Sequence, residues 1–439
     1  MLPGRSSLRL GRRGKLTRLA LGPPERRQLF WSGFTIFVVV LLSGVPGRLL
    51  GTIVVSKSLA KAILHGSLVA CYLVGLATVI EALNKGWRPG VKLFPVLAFT
   101  LWATASGAWS VMAGESLTSA AALVGTVLVG IALGLRISAY SALRTILMLG
   151  AVALVASIGT ALWVPQVGIS REFGGAWRGV FENRNVLARW ACLELLVSLV
   201  LVAGRHRRSD VVWGSIAGSL SLLVAWMSKS TTGLVVSGAL TIGTLLLLAI
   251  FRSHGILRWL FAMFAGSIIV AGTAGLWSYR TQALIASGRD TSLSGRTYIW
   301  KKSLLLIDRH SATGLGYGAA WEPKSPLTGV QIGPGRTAPN AHNGFLDIYL
   351  ELGPLGVLLL VLCLASLATW NRRVSTRPRY LRLWSLLYLT FLVLYDISES
   401  TLFVENTVFA VLLVASIMWR TQWRRNRGSE HARLYVPCS

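Results

Sequence analysis

The sequence has 439 residues, of which 53% are hydrophobic and only 14% are charged, and its mean hydropathy is +0.60. Soluble domains carry about 25% charged residues, so the composition excludes an ordinary soluble protein and indicates a membrane protein. The net charge of +28 does not indicate nucleic-acid binding, because the basic residues are spread between apolar runs and form no single patch.

Apolar runs long enough to cross a membrane recur along the whole chain. A transmembrane helix needs about 20 mostly apolar residues. Such runs occur at 29–46, 63–82, 93–112, 117–135, 145–164, 185–203, 211–227, 233–251, 259–278, 353–370, 383–398 and 403–419. The sequence therefore predicts an all-α polytopic membrane protein of about 12 transmembrane helices, nine of them within 29–278 and three within 353–419.

The distribution of Lys and Arg predicts the orientation of these helices. Basic residues favour the cytoplasmic side, most strongly in short loops. With a cytoplasmic N-terminus, the cytoplasmic segments carry 28 Lys and Arg, against 15 in the external segments or 7 without the longest loop. We therefore expect the basic segment 1–28 and the basic tail 420–439 to be cytoplasmic, in a multi-pass protein of the bacterial inner (plasma) membrane.

Two external loops differ from simple connections, one at about 165–184 and one at 279–352. The second is far longer than packed helices require, and loops of that length are usually functional or disordered. Its composition favours order, because residues 298–307 contain aromatic and apolar side chains suited to an amphipathic helix on the membrane surface. We therefore expect the chemistry of the protein to reside in these two loops.

Arginines in the two loops have two interpretations. Arg178 and Arg184 lie in the segment WRGVFENRNVLARW, which also contains Asn185, and Arg296 lies in SLSGRTYIW. Such residues often anchor a protein at the membrane interface. Alternatively, their planar guanidinium groups suit phosphate oxygens and remain charged at every relevant pH. A lipid-linked diphosphate would then be stabilised by arginine in place of a metal ion, because the external loops contain no paired aspartates.

The second loop also contains the histidine most suited to chemistry. His342 lies between Asn340 and Asn343 and follows the segment GLGYG at 314–318. A loop histidine is more often a hydrogen-bonding surface residue, and the glycines fit simple turns without a phosphate-binding context. Asp396, Glu399 and Glu405 lie in or between the last two apolar runs, where either pairing with a loop arginine or simple interfacial placement is open.

Together these segments resemble the O-antigen ligase and O-antigen polymerase superfamily of bacterial polysaccharide enzymes. His342-Asn343 followed by Gly353 and Gly356 is similar to the histidine motif in the family's long periplasmic loop. Arg178 to Asn185 resembles the family segment that opens a membrane helix. The segment SKSTTG at 228–233 resembles another, although Lys229 stands where the family usually has arginine, so that the charge remains and the bidentate geometry does not. The resemblance covers roughly 170–360.

The resemblance implies a GT-C-like membrane glycosyltransferase that is inverting and uses no metal or other cofactor. Its donor would be a glycan on a polyprenyl diphosphate, and its acceptor a hydroxyl of a lipid or envelope glycan. His342 would act as general base or orient the acceptor hydroxyl. The residues implied to bind the diphosphate or substrate are Arg178, Arg296, Arg184, Lys229, Asn185, Asn343 and Tyr317.

Several functions remain open from the sequence. A ligase transfers a finished glycan to an acceptor, whereas a polymerase of the same superfamily extends the glycan on its carrier. The histidine motif favours a ligase or a related protein O-glycosyltransferase. A polysaccharide transporter or flippase is the alternative of another class, but no inverted repeat is evident and the polar residues concentrate in the external loops.

Overall fold

Helices dominate the computed structural model, which describes residues 23–53, 56–205, 207–253, 255–257, 296–333, 336–368 and 378–419. Within these ranges, ten helices precede the long loop: α1 Pro23–Leu41, α2 Val45–Ile53, α3 Lys57–Asn84, α4 Phe94–Ala105, α5 Ala113–Arg136, α6 Ala139–Trp163, α7 Pro165–Gly168, α8 Arg184–Gly204, α9 Arg208–Met227 and α10 Thr231–Arg252. Four follow: α11 Arg296–Leu306, α12 Gly344–Ala368, α13 Arg379–Asp396 and α14 Val408–Trp419.

Short elements lie in the connections between these helices. Single turns of 3₁₀ helix occur at Val91–Leu93, Ser106–Ala108, Arg171–Phe173, Asp308–His310 and Pro326–Gly329. Two antiparallel pairs of strands also occur, β1 Ile169–Ser170 with β2 Ala176–Trp177 and β3 Gln331–Gly333 with β4 Arg336–Thr337. The sequence did not predict these strands, because two or three residues are too few to show an alternating pattern.

The prediction of a multi-pass α-helical membrane protein is confirmed. Among the described residues, eight helices are long and apolar enough to cross a membrane. They are Lys57–Asn84, Val91–Ala108, Ala113–Arg136, Ala139–Trp163, Arg184–Gly204, Arg208–Met227, Thr231–Arg252 and Gly344–Ala368.

The remaining predicted spans have different outcomes. Helices α1, α13 and α14 overlap the predicted spans 29–46, 383–398 and 403–419, although α14 is shorter than a full span. The predicted span 259–278 lies outside the described residues, as do segments 1–22 and 420–439 and the first part of the long loop. The count of 12 and the GT-C-like architecture therefore remain predictions.

Helix α8 occupies the centre of the bundle. Of the residues in its membrane-spanning window, 78% are buried, which is the highest share among the eight helices. Helix α8 packs against α6, α9, α10 and α13. A helix that is apolar on every face is stable only when other elements surround it. Helix α3 is the opposite case, because only 17% of the residues in its window are buried and its exposed leucines suit contact with lipid. The central position of α8 places its first turn in the middle of one end of the bundle.

The connecting segments gather at two ends of the bundle. At one end, which we call the site end, α2 contacts the 165–184 loop, the turn after α4 contacts residues 313–317, and α8 contacts the turn after α13. At the opposite end, Glu81 pairs with Arg27, Lys85 and Arg136. The described segments that were predicted to be external thus lie at one end of the bundle. This agrees with the prediction that successive connections alternate between the two ends. Which end faces the cytoplasm remains a prediction.

Helix α12 begins nine residues earlier than the predicted span, at Gly344, and contains a break. Gly353 has φ 65° and ψ −167°, and Pro354 follows it. This backbone conformation is open essentially only to glycine, and proline has no N–H for the helical hydrogen bond. Gly353, the first residue of the predicted span 353–370, is therefore the point at which α12 divides into two helical segments.

The carbonyl groups freed by this break are bonded by other parts of the chain. Unpaired backbone groups are expensive inside a membrane protein, so a broken helix needs such partners. The GLGYG segment supplies two backbone N–H groups and a tryptophan supplies the third donor. The hydrogen bonds are Leu315 N to Leu350 O at 2.9 Å, Gly316 N to Glu351 O at 2.9 Å, and Trp102 Nε1 to Leu352 O at 3.0 Å.

The described part of the long loop is ordered around a small core of its own, as its composition predicted. A helix, α11, lies where the sequence predicted an amphipathic one, but its apolar side chains are not confined to one face, since Ile299 is buried while Tyr298, Leu304 and Leu305 are exposed. Its position on the membrane surface remains a prediction. The core consists of Ile299, Ile307, Leu315, Ala320, Leu327, Val330, Ala338, Ala341 and Leu350. This core fixes the segment that carries His342 over the start of α12.

Candidate active site

The first turn of α8 contributes polar groups to the middle of the site end. The Asn183 side chain caps the helix, and its Oδ1 accepts the N–H groups of Asn185 and Val186 at 3.0 Å each. Asparagine is among the preferred residues for this position. Arg184 and Asn185 are therefore held in the first turn, at the helix end where the macrodipole favours negative charge.

The turn after α13 contains Glu399, which the sequence analysis did not assign to the site, and an acid at the end of α13 holds this turn. Asp396, the last residue of α13, is fully buried and organises this turn. Its Oδ1 accepts the N–H groups of Thr401 at 2.6 Å and Leu402 at 2.8 Å, and its Oδ2 accepts the Thr401 hydroxyl at 2.7 Å. A carboxylate that accepts several hydrogen bonds rigidifies the segment it holds. Glu399 is thereby fixed within a closed turn.

Glu399 links three of the predicted site residues. Its Oε1 accepts the Asn185 Nδ2–H at 2.9 Å and the Arg296 Nη2–H at 3.1 Å, and its Oε2 lies 3.7 Å from His342 Nδ1. The Glu399 side chain is 14% exposed. Burial by itself would raise its pKa, but nearby His342, Arg296 and Arg189 outweigh burial and lower the pKa. Glu399 therefore remains an anion among cationic and hydrogen-donating neighbours.

His342 adopts a left-handed backbone conformation, with φ 51°. Such a conformation is uncommon for residues other than glycine and persists only where the surroundings impose it. The surroundings do so here: the His342 N–H bonds Asn340 Oδ1 at 3.0 Å, and Ala341 O accepts the Trp300 Nε1–H at 2.8 Å. Strain of this kind is typical of functional positions, and it aims the imidazole at Glu399.

The two imidazole nitrogens of His342 have different surroundings. Nδ1 is buried, has no hydrogen-bond partner within 3.5 Å and faces Glu399. The side chain as a whole remains 28% exposed, so the ring is accessible from the site end. A proton on Nδ1 directed at the carboxylate would leave the Nε2 lone pair free, which is the tautomer that a general base requires.

Arg189 lies one turn deeper in α8 than the first-turn residues. An arginine at this depth of a membrane helix often extends its side chain to the interface. The Arg189 guanidinium instead lies 5.2 Å from the centre of the Phe409 ring, its Nε is buried without a hydrogen-bond partner, and its charge acts on Glu399 and Asp396. Arg189 therefore adds positive charge beneath the site.

Arg178 uses its side chain within the 165–184 loop. Its Nε and Nη2 donate to Val167 O at 2.8 Å and Gln166 O at 3.1 Å. Arg48, which the sequence did not single out, also donates to Val167 O at 2.7 Å and to Gly179 O at 2.9 Å. The two guanidinium groups therefore converge on one loop, and their shared role in the structure is to hold its backbone.

Arg184 and Lys229 connect the same loop to the turn between α9 and α10. Arg184 Nη1 donates to Lys229 O at 3.0 Å, and its guanidinium lies 4.3 Å from the Phe173 ring centre. Lys229 has a left-handed backbone with φ 52°, and its Nζ donates to Gly174 O at 2.6 Å. Two cations are thus held close to the first turn of α8.

Asn343, which follows His342 in the chain, and Tyr317 both occupy structural positions. The Asn343 side chain accepts the Leu346 N–H at 3.1 Å at the start of α12. Tyr317 is buried, and its hydroxyl donates toward Phe403 O at 2.6 Å and Glu405 Oε2 at 3.0 Å. Burial, together with the negative charges of Glu405 and Glu351, raises the pKa of Tyr317 well above its usual value. The phenol therefore remains a hydrogen-bond donor.

A cavity of about 250 Å³ adjoins the His342 segment. Its lining differs in charge from the arginine side of the site, since the described residues that line it include carboxyl groups and aromatic rings and neither Lys nor Arg. The residues that give it this character are Tyr317, Trp321, Glu322, Asp347, Glu351 and Glu405. Asn340 and Gly344, which lie two residues before and two residues after His342, also line the cavity.

Six of the eight predicted residues fall into two groups, while Asn343 and Tyr317 bond neighbouring parts of the chain. His342, Arg296 and Asn185 meet at Glu399, whereas Arg178, Arg184 and Lys229 hold the 165–184 loop and the turn before α10. Sequence reasoning missed Arg48 and the role of Arg189. For Glu399 a signal existed, since an acid between two apolar runs needs a partner.

Comparisons with known proteins identify similar chains. Residues 216–361 match the family model described as O-antigen ligase. The chain is also 25% identical over 314 residues to the exopolysaccharide production protein ExoQ of Rhizobium meliloti (strain 1021), which covers 68% of this chain and 70% of the relative. The family match over 216–361 contains part of α9, all of α10 and α11 and most of α12, and includes Lys229, Arg296 and His342.

Proposed function

From its membership of the O-antigen ligase and polymerase superfamily, we propose that this chain transfers a glycan from a polyprenyl diphosphate to an acceptor hydroxyl. The reaction takes place at the site end, which we assign to the outer side of the bacterial inner membrane. The product of the ligase-type reaction is a lipid or envelope glycan. The family match and the relative support a membrane enzyme that processes glycans.

The observation that carries the proposal is the position of Glu399 between Arg296 and His342. The carboxylate orients the imidazole through Nδ1, and Nε2 accepts the proton of the acceptor hydroxyl. The acceptor oxygen then forms a bond to the anomeric carbon, while the bond from that carbon to the diphosphate oxygen breaks and its electron pair leaves with the diphosphate. Attack from the side opposite the leaving group inverts the anomeric carbon. The separation of 3.7 Å suits a resting site, because catalytic hydrogen bonds often shorten only when substrate is bound.

The leaving diphosphate needs stabilisation of its developing charge. Preorganised donors aimed at that charge are usually the largest electrostatic contribution to catalysis. Arg296 donates to Glu399 through Nη2. A guanidinium has five N–H groups, so others can donate to phosphate oxygens. Together with Arg184 and the first turn of α8, Arg296 forms a cationic surface beside His342, on which we place the diphosphate. Arg178, Lys229 and Arg48 stabilise the loop that bounds this surface.

The cavity beside His342 supports a separate location for the acceptor. An anionic diphosphate is disfavoured there, because Glu322, Asp347, Glu351 and Glu405 line the cavity. Carboxylates accept hydrogen bonds from sugar hydroxyls, and aromatic rings such as Trp321 offer an apolar face to a sugar ring. We therefore place the acceptor glycan on the cavity side of His342 and the donor on the arginine side.

A polymerase is the second candidate, and the similarity to an exopolysaccharide production protein favours it. Deletion of the gene, followed by analysis of surface glycans and carrier-linked glycans, distinguishes the two. Loss of a ligase leaves long glycans on the carrier, whereas loss of a polymerase leaves single repeat units. Unchanged glycans in both fractions would contradict the proposed function.

Transfer by the purified protein is expected to continue in EDTA, because arginine replaces a metal ion in this mechanism.

A further inference from the structure

Four arginines converge at the opposite end of the bundle, away from the candidate active site. Arg205 caps the C-terminus of α8, Arg252 is the last residue of α10, and Arg379 and Arg382 belong to the first turn of α13. Helix α13 packs against both α8 and α10. We call these four residues the arginine cluster.

Specific contacts bring the members of the arginine cluster together. The Arg382 guanidinium lies 4.7 Å from the Phe251 ring centre, next to Arg252 in the chain. The end of α8 touches the start of α13 so closely that a Cβ at Gly204 would lie 2.8 Å from Tyr380 Cβ. Arg252, Arg205 and Arg382 all lie near enough to Arg379 for their positive charges to act on it.

The arginine cluster lacks anionic partners within the described part of the chain. Arg379 Nε and Nη2 and Arg382 Nε are buried and have no hydrogen-bond partner. The ion pairs at this end use Glu81 and Asp210, whose cationic partners are Arg27, Lys85, Arg136 and Arg144. The sequence supplies no nearby acid either, since residues 369–382 contain five arginines and neither Asp nor Glu.

This arrangement is unfavourable without a bound anion. Buried charged donors that lack partners cost free energy, and like charges repel one another. At the N-terminus of α13 the macrodipole also disfavours cations, whereas a phosphate is favoured there. Basic pockets between transmembrane helices are a known type of site for the headgroups of anionic lipids.

We propose that the arginine cluster binds the phosphate of an anionic phospholipid at the opposite end of the bundle. A lipid is favoured over free phosphate, because the cluster lies at the ends of α8 and α10, both of membrane-spanning length, and therefore at headgroup depth. The bound phosphate satisfies the unpartnered nitrogens of Arg379 and Arg382 and locks the ends of α8, α10 and α13 together. This inference does not depend on the proposed glycosyl transfer.

The test measures thermal unfolding of the purified full-length chain in neutral detergent during titration with lipid. Dioleoylphosphatidylglycerol is expected to raise the unfolding temperature, and dioleoylphosphatidylcholine, which has no net charge, to have little effect. Arg379→Gln and Arg382→Gln are each expected to raise the concentration of phosphatidylglycerol needed for half-maximal stabilisation by about tenfold, as expected for the loss of one charged hydrogen bond.

Arg88→Gln is the matched control, because Arg88 is an exposed arginine in the turn between α3 and α4 at the same end. It removes the same charge outside the cluster and is expected to leave the lipid response unchanged. Arg379→Lys keeps the charge if Arg379→Gln does not fold, and is expected to show an intermediate response. Equal stabilisation of the unmodified protein by both lipids would overturn the proposal. Equal stabilisation by inorganic phosphate at the same concentration would overturn the assignment to a lipid.

Discussion

Glu399 and His342 face each other at the site end, with 3.7 Å between Glu399 Oε2 and His342 Nδ1. The imidazole is held there by a left-handed backbone, and the carboxylate by the turn that Asp396 organises. Because the second Glu399 oxygen accepts a hydrogen bond from Arg296, one acid connects the proposed base with a proposed diphosphate ligand.

Glu399→Gln tests whether the carboxylate orients the base. Glutamine keeps the shape and can still accept hydrogen bonds from Arg296 and Asn185, but it does not stabilise a protonated imidazole. Replacing the orienting acid of a comparable dyad lowers turnover by as much as about 10⁴-fold, so we expect a loss of about 10²- to 10⁴-fold in the rate of transfer by purified protein. Glu115→Gln, at an exposed position in the first turn of α5, is the control and is expected to retain activity. Full activity of Glu399→Gln would limit Glu399 to a structural role.

Variants of His342 separate a base from a positioning residue. General-base catalysis contributes about 10²- to 10⁴-fold, so His342→Ala and His342→Gly should lower transfer by that order. The glycine variant also relieves the left-handed strain, so its unfolding temperature should be higher than that of His342→Ala. His342→Gln can form a hydrogen bond but takes no proton at neutral pH. If it restores most of the activity, His342 positions the acceptor and is not the base.

The stability of the protein should depend on the ionisation of Glu399. Burial opposes ionisation, but His342, Arg296 and Arg189 lower the pKa below the ordinary value of 4.5. A lowered pKa in the folded state adds stability that is complete above the unfolded pKa and is lost as the pH falls through the folded pKa. Thermal unfolding of the wild-type protein and Glu399→Gln should therefore differ most at neutral pH, and the difference should shrink below about pH 4. A difference that grows on acidification would contradict the assigned pKa direction.

Arg296→Lys tests the bidentate geometry at constant charge. Lysine lacks the planar fork that matches phosphate oxygens, and loss of one preorganised donor to the leaving group costs about 2–4 kcal/mol in the barrier. We expect a corresponding fall in the rate of transfer with normal expression. Arg178→Lys should also impair the enzyme, because it breaks the bonds to Val167 O and Gln166 O that fix the loop. Full activity in the lysine and alanine variants of both arginines would identify them as interfacial anchors.

Gly316→Ala tests the role of the GLGYG segment in supporting the break in α12. Gly316 has φ 103°, and a Cβ there would lie 2.6 Å from Ser116 Oγ. Backbone strain of this kind costs about 1–3 kcal/mol, and the collision adds to it. The unfolding temperature should therefore fall clearly. Gly329→Ala is the control, because a Cβ at Gly329 meets no atom within 4 Å. If both alanine variants unfold at the same temperature, the segment is not a rigid support.

Local properties of the sequence determined the helices. The run at 185–203 is helix α8 at Arg184–Gly204, and the run at 211–227 is helix α9 at Arg208–Met227. Length and hydrophobicity are sufficient for this, because a membrane span must satisfy its backbone within its own segment. The order of the short motifs also indicated the superfamily, and the family match over 216–361 agrees with it.

Only the tertiary structure decided which polar groups meet. Asn185 and Glu399 are 214 residues apart in the chain, and Arg296 and Glu399 are 103 apart, yet both pairs are hydrogen-bonded. The sequence showed that Glu399 needed a partner, but several loop arginines were available to it. The same holds for GLGYG, in which the N–H groups of Leu315 and Gly316 bond carbonyls of α12. Partners of this kind depend on the packing of whole helices around α8, which no local pattern of residues encodes.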